Sequence, residues 1–148
     1  MNKKKTQIQT FEDLEVWQLA RKIRNEIFEL VKKFPKTEKY RLSDQMIRSS
    51  RSIADNISEG YGRFHYQENI QYCRIARGSA YELINHLITA RDCSYITDEE
   101  LNYHKSQITR CIQIINGYIR YLKKAKNSSK VREEQIPYVA TAFDDGPE

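Results

Sequence analysis

The chain has 148 residues, 39% hydrophobic and 30% charged, with 25 Lys+Arg against 20 Asp+Glu and a net charge of +5. The length favours one domain, and the composition is polar yet too apolar and aromatic for a wholly disordered chain. Scarce Gly (5) and Pro (3) disfavour a turn-rich β-sandwich, and no apolar run approaches the ~20 residues that span a bilayer.

Residues 1–9 read as a basic, flexible arm carrying Lys3, Lys4 and Lys5. The opening MNKKKTQIQT lacks the apolar stretch of a signal peptide, so a cytoplasmic location is expected. The first helix is predicted from about Thr10 to Phe34, with Thr10 as N-cap and Asp13 as a capping-box partner. Leu14, Trp17, Ala20, Ile23, Ile27, Leu30, Val31 and Phe34 form its apolar stripe, and Pro35 ends it.

The second helix spans about Leu42 to Tyr61, with Leu42, Met46, Ile53 and Ile57 inward. Ser49, Ser50, Ser52, Ala54 and Ser58 are small, so a neighbouring helix can approach closely, but they bury little area. Gly60 and Gly62 are expected to supply the helix stop. The third helix runs from about Tyr66 to Asp92, with a stripe of Ile70, Cys73, Ala76, Ala80, Leu83, Ile84, Leu87 and Ile88. Gly78 in mid-helix costs ~1 kcal/mol against alanine and predicts close backbone approach. The fourth helix begins at Thr97, where Thr97-Asp98-Glu99-Glu100 is a capping box, and steps through Leu101, His104, Ile108, Cys111, Ile115, Tyr118 and Leu122.

Short connections make consecutive helices antiparallel neighbours. The expected fold is therefore all-α: an antiparallel up-down-up-down four-helix bundle over residues 10–126, with disordered terminal tails. Residues 127–148 change character, with two basic and five acidic residues and no helical period. They read as a mostly disordered acidic tail, although IPYVATAF within it is apolar enough to dock.

Catalytic machinery is not visible. Cys73, Cys93 and Cys111 form no C-x-x-C pair and no Cys/His cluster with zinc spacing. The middle helices carry Arg48, Arg51, Asp55, Asn56 and Glu59, then Arg74, Arg77, Ser79 and Glu82. Glu59 and Glu82 could face each other across antiparallel helices as an acid pair or metal site. A four-helix di-iron site needs Glu-x-x-His pairs, and here Glu82 is followed by His86 instead. A structural ion network, with no metal and no cofactor, is the preferred reading.

From Arg110 to Lys126 the fourth helix holds five basic residues and no acid: Arg110, Arg120, Lys123, Lys124 and Lys126. Interleaved with Tyr118 and Tyr121, they suit a phosphate backbone and stacked bases. Cations are also favoured at helix C-termini by the dipole, and the sequence leaves both readings open.

A series of motifs recurs in a set order: Phe11-x-x-Leu14-x-Val16-Trp17, Phe34-Pro35, Leu42-x-x-Gln45-x-x-Arg48, Ser52-Ile53-x-x-Asn56-Ile57-x-Glu59-Gly60 and Ala76-Arg77-Gly78-Ser79-x-x-Glu82. Over about Thr10 to Lys124 the chain resembles the bacterial four-helix-bundle family of 23S rRNA intervening-sequence proteins. That family is also similar to the accessory variability protein of diversity-generating retroelements. The resemblance implies a homopentamer with a basic surface and a non-enzymatic accessory role with RNA or DNA, in the retroelement case beside a reverse transcriptase. By the motifs, Asn56, Glu59, Arg77 and Glu82 are its signature polar positions, expected in a polar network or at subunit seams. Arg48 and Arg51 match its basic helix-two positions and join the expected nucleic-acid contacts. No catalytic residue transfers. The alternative function is a protein-interaction scaffold without nucleic-acid binding.

Overall fold

A computed structural model describes residues 7–128 together with Pro147 and Glu148. Four helices carry the fold: α1 (Glu15–Val31), α2 (Leu42–Gly62), α3 (Tyr66–Asp92) and α4 (Asp98–Ser128). Short 3-10 turns at Phe11–Asp13 and Lys36–Glu38 precede α1 and α2, and no strand occurs among the described residues. Each helix packs on two neighbours, α1 on α2 and α4, α3 on α2 and α4, while the diagonal pairs make no close backbone approach. This is the expected antiparallel four-helix bundle. The last residues of the expected N-terminal arm belong to it: Ile8 packs against the core, and the Gln9 carbonyl accepts a hydrogen bond from the Tyr61 hydroxyl. The rest of that arm, with Lys3, Lys4 and Lys5, and most of the acidic tail (residues 129–146) lie outside the described residues.

The helix boundaries follow local chemistry. Thr10 caps the first 3-10 turn by accepting from the Glu12 amide, and the Asp13 carboxylate accepts from the Thr10 amide at 3.1 Å. Leu14 is extended, so the α-helix proper starts at Glu15, later than the apolar spacing predicts. It also ends at Val31, three residues short of Phe34, and a turn through Lys32 and Lys33 leads to Pro35. At the start of α4 the capping box is complete: the Glu100 amide donates to Thr97 Oγ1 and the Thr97 amide to Glu100 Oε1, both at 3.1 Å.

The stop of α2 differs from expectation. The helix continues through Gly62, no glycine among the described residues takes positive φ, and Phe64 (φ 57°) adopts the left-handed conformation instead. Ser94 (φ 60°) does the same after α3, where the Tyr95 amide reaches Ala90 O and the Ser94 amide reaches Arg91 O. That pair of bonds is a Schellman closure. It aims Tyr95 at Phe34 (ring centroids 5.4 Å apart) and at Glu38, tying the two connections at one end of the bundle.

The core holds the expected aliphatic stripes, with three corrections. Val16 is fully buried, whereas Trp17 sits at the rim, edge-on to Phe11 and under Arg21. Ile88 is 40% exposed, because the α3 stripe turns away from the core there. Gly78 faces open space on its own chain. The glycine that meets another helix is Gly60: a Cβ there would stand 2.8 Å from both Asn69 Oδ1 and Tyr72 Cβ. About 12 Å further along the same seam, the Ser52 and Ser79 hydroxyls bond at 2.7 Å. Cys73 and Cys111 are buried free thiols whose pKa burial pushes up to about 12, consistent with core packing.

Gly60→Ala must part α2 from α3, because Tyr72 Cβ cannot swing aside. We expect a loss of about 1–2 kcal/mol despite alanine's better helix propensity, read as a lower urea midpoint at unchanged slope. His104 is buried in α4 beside Glu26, Glu100 and Lys33, and its pKa is held below 6.5 chiefly by burial. The unfolded chain therefore takes up the proton first, so this contribution is full above pH ~6.5 and is lost as pH falls below it. His104→Gln should flatten the decline in urea midpoint between pH ~7 and ~5, and an unchanged slope would show that other groups cause it.

Candidate nucleic-acid interface

The seam between α3 and α4 gathers the cations. Two polar contacts set its register: Arg77 donates to Asn116 Oδ1 at 2.7 Å, and Lys126 donates to Gln67 Oε1 at 2.6 Å. The buried Asn69 amide donates to the Tyr118 hydroxyl at 3.1 Å between them. In this register Arg74 and Arg77, one turn apart on α3, stand opposite the last turns of α4. Gln67, Ile70, Arg74, Lys123, Lys126 and Asn127 line a small cleft there, of about 180 Å³.

Beside this cleft, the cations of the seam gather around an anion. Arg74, Arg77 and Lys123 converge on one carboxylate, that of Glu148. Arg74 Nε donates at 2.9 Å, Arg77 Nη2 at 2.7 Å and Lys123 Nζ at 3.0 Å. Arg120 holds the carbonyl of the adjacent Pro147. These cations, Arg74 foremost, hold the Glu148 carboxyl far below the usual carboxylate range.

Of the sequence-predicted contacts, the structure brings Arg120, Lys123 and Lys126 to this seam, and Lys124 is exposed on the same last turns of α4. Arg110 lies ten residues before Arg120, about 15 Å along the axis at 1.5 Å per residue. Arg48 and Arg51 are on α2, where Arg51 is exposed and Arg48 pairs with Asp44 at 2.9 Å. The Ser52–Ser79 contact places them level with the later half of α3, away from Arg74. Tyr118 is buried and cannot stack on a base, and Tyr121, half-buried, lies parallel to it at 6.3 Å. Burial pushes the Tyr121 hydroxyl up to about 12. The surface therefore offers no Tyr118 platform for bases.

The four signature polar residues have separate partners within the chain. Asn56 donates to Ser52 O and Oγ, Glu59 pairs with Arg63 at 3.0 Å, Arg77 binds Asn116 and Glu148, and Glu82 meets His86 at 3.2 Å. Glu59 and Glu82 do not face each other: Glu59 is level with Tyr72, ten residues or about 15 Å from Glu82. Among the described residues no group of three or more His, Cys, Asp or Glu is placed to hold a metal ion. Nor is any described helix long and apolar enough to cross a membrane. Arg74 is the contact that the sequence-level site omits. Its one-turn spacing from Arg77 is visible in the sequence, but its pairing with Lys123 needs the α3–α4 register.

Fold and seam together define the class: an antiparallel four-helix bundle with a cationic cleft between its last two helices. Residues 12–117 match the family described as 23S rRNA-intervening sequence protein, and the chain belongs to that family. The α4 residues Arg120 to Lys126 lie beyond the matched stretch, whereas Arg74 and Arg77 lie within it. A solved structure from Bacteroides thetaiotaomicron VPI-5482, described as a protein with unknown function from the S23 ribosomal protein family, is similar in fold. It is 24% identical, with a TM-score of 0.66 over 71% of this chain and 95% of that chain. No curated protein shows significant similarity.

Proposed function

We propose that the protein is a non-enzymatic, self-associating accessory protein that binds RNA, or another nucleic acid, through its phosphate backbone. The convergence of Arg74, Arg77, Arg120, Lys123 and Lys126 on one seam carries this reading. Several cations along one seam repel each other unless an anion is present, and a polyanion supplies regularly spaced charge. The family's name, with its reference to 23S rRNA intervening sequences, points the same way. Lys124 adds to the same contact in this reading, and Arg48, Arg51 and Arg110 meet a strand only where it runs on beyond the seam. A reverse transcriptase as protein partner is the further expectation from the retroelement resemblance.

Self-association draws support from the outer face of α3. Ile75, Tyr81 and Ile88 are 52%, 58% and 40% exposed, and Gly78 lies between them with nothing of its own chain above it. A mid-helix glycine costs ~1 kcal/mol, which close approach of a second copy offsets. The resemblance implies five copies.

A uniform single-stranded RNA tests the nucleic-acid reading. Affinity should fall steeply with salt, by a log–log slope of about −0.7 per phosphate contacted. Lys123→Glu with Lys126→Glu should weaken binding tenfold or more, and Arg48→Glu with Arg51→Glu should weaken it less. Absence of binding at ~150 mM salt, a level that many specific complexes survive, would favour the scaffold alternative. For self-association, light scattering should give a multiple of 17.6 kDa, and Ile75→Glu with Ile88→Glu should reduce it to monomer; a wild-type monomer would refute it.

A further inference from the structure

The anion at the α3–α4 seam comes from the chain itself. Glu148 is far from α4 in sequence, yet its carboxylate is the common acceptor of Arg74, Arg77 and Lys123, and its side chain is only 18% exposed. Arg120 grips the backbone one residue earlier. Both carboxylate oxygens are used, one shared by Arg74 and Lys123 and one taken by Arg77. Planar guanidinium groups and an ammonium around two oxygens form an arrangement that a phosphate group satisfies equally well.

We propose that the cluster of Arg74, Arg77 and Lys123, at the edge of the cleft, is a seat for phosphate, that Glu148 fills this seat in cis, and that an incoming phosphate must displace this carboxylate. On the nucleic-acid reading above, on which this last step rests, the incoming anion is a backbone phosphate of RNA, and the Glu148 carboxylate is a built-in competitor. Such a competitor discriminates. A single weak anion loses to a tethered carboxylate, whose effective concentration is high, while a strand that engages several cations together displaces it. Binding-competent protein is then the fraction with an empty cleft, and apparent affinity falls by that fraction.

The full-length chain, labelled with ¹⁵N, allows the seat and its occupant to be read without RNA. The Arg74 Nε–H resonance reports the 2.9 Å bond to Glu148. Glu148→Gln removes the charged acceptor, and Glu133→Gln removes an equal charge elsewhere in the same tail. We expect Glu148→Gln to move the Arg74 resonance and to tighten inorganic pyrophosphate binding about five- to tenfold, as release of a cleft that is mostly occupied requires. Glu133→Gln should leave both near wild type. An unmoved Arg74 resonance in Glu148→Gln overturns the proposal, and so does an equal gain from Glu133→Gln, which would reduce the effect to net charge. A uniform single-stranded RNA is then titrated into wild type and Glu148→Gln. Tighter RNA binding by Glu148→Gln supports the competitor role. If pyrophosphate shows the competition and RNA binds neither protein, the phosphate seat stands and the nucleic-acid function falls.

Discussion

The close approach of α2 to α3 is the constraint on which the rest depends. Gly60 rests against Asn69 and Tyr72, and Ser52 meets Ser79 through a single short hydroxyl bond. Small side chains bring the two axes together, and the serine pair fixes how far one helix slides along the other. These residues bury little apolar area themselves, so their stabilisation is realised through the neighbours they bring into contact. Ile53 and Ile57 on α2, and Cys73, Ala76, Ala80 and Leu83 on α3, become fully buried. Once this hairpin is set, Asn69 is positioned to donate to Tyr118, and Arg77 to Asn116, so the register of α4 is inherited from that of α3.

The cationic cleft follows from that inheritance. The α4 C-terminus tolerates Lys and Arg because the helix dipole is negative there. On α3, Arg74 and Arg77 sit in mid-helix, where the dipole offers no such compensation. Asn116 and Gln67 satisfy some of the donors across the seam, yet like charges near one another in water still repel by about 1 kcal/mol per pair at 4 Å. An anion in the cleft reverses the sign of that interaction. The Glu148 carboxylate does so here, which is why its acidity is so strongly increased.

Much of the fold was legible from periodicity and caps. α3 runs over the predicted residues, Thr97 and Glu100 form the expected box, and the aliphatic stripes of α1 and α4 lie inward. Misreadings cluster where one residue type has two uses. Gly62 fits a helix stop by its type, but Phe64 and Ser94 take the left-handed conformations. Gly78 suggests close contact, and Gly60 makes it. Tyr118 is expected both in the inward stripe of α4 and among the cations as a stacking surface; it keeps to the stripe, because on a helix the neighbours in space are three and four residues away. The motif resemblance, in contrast, led to the family that residues 12–117 match.

By itself, the sequence determined four helices, their order, their ends to within a few residues, and a surplus of positive charge on the last turns of α4. These are local properties: spacing of apolar residues, caps, proline and short connections act within a few residues of one another. Only the tertiary structure decided that Arg74 and Arg77 join Lys123 at one seam, that Glu59 and Glu82 lie about 15 Å apart along the bundle, and that Glu148 reaches the cations. Each of those depends on the axial register of neighbouring helices. Periodicity gives the face that a residue occupies, but the slide of one helix along another is set by a handful of contacts, here Gly60 against Tyr72 and Ser52 against Ser79.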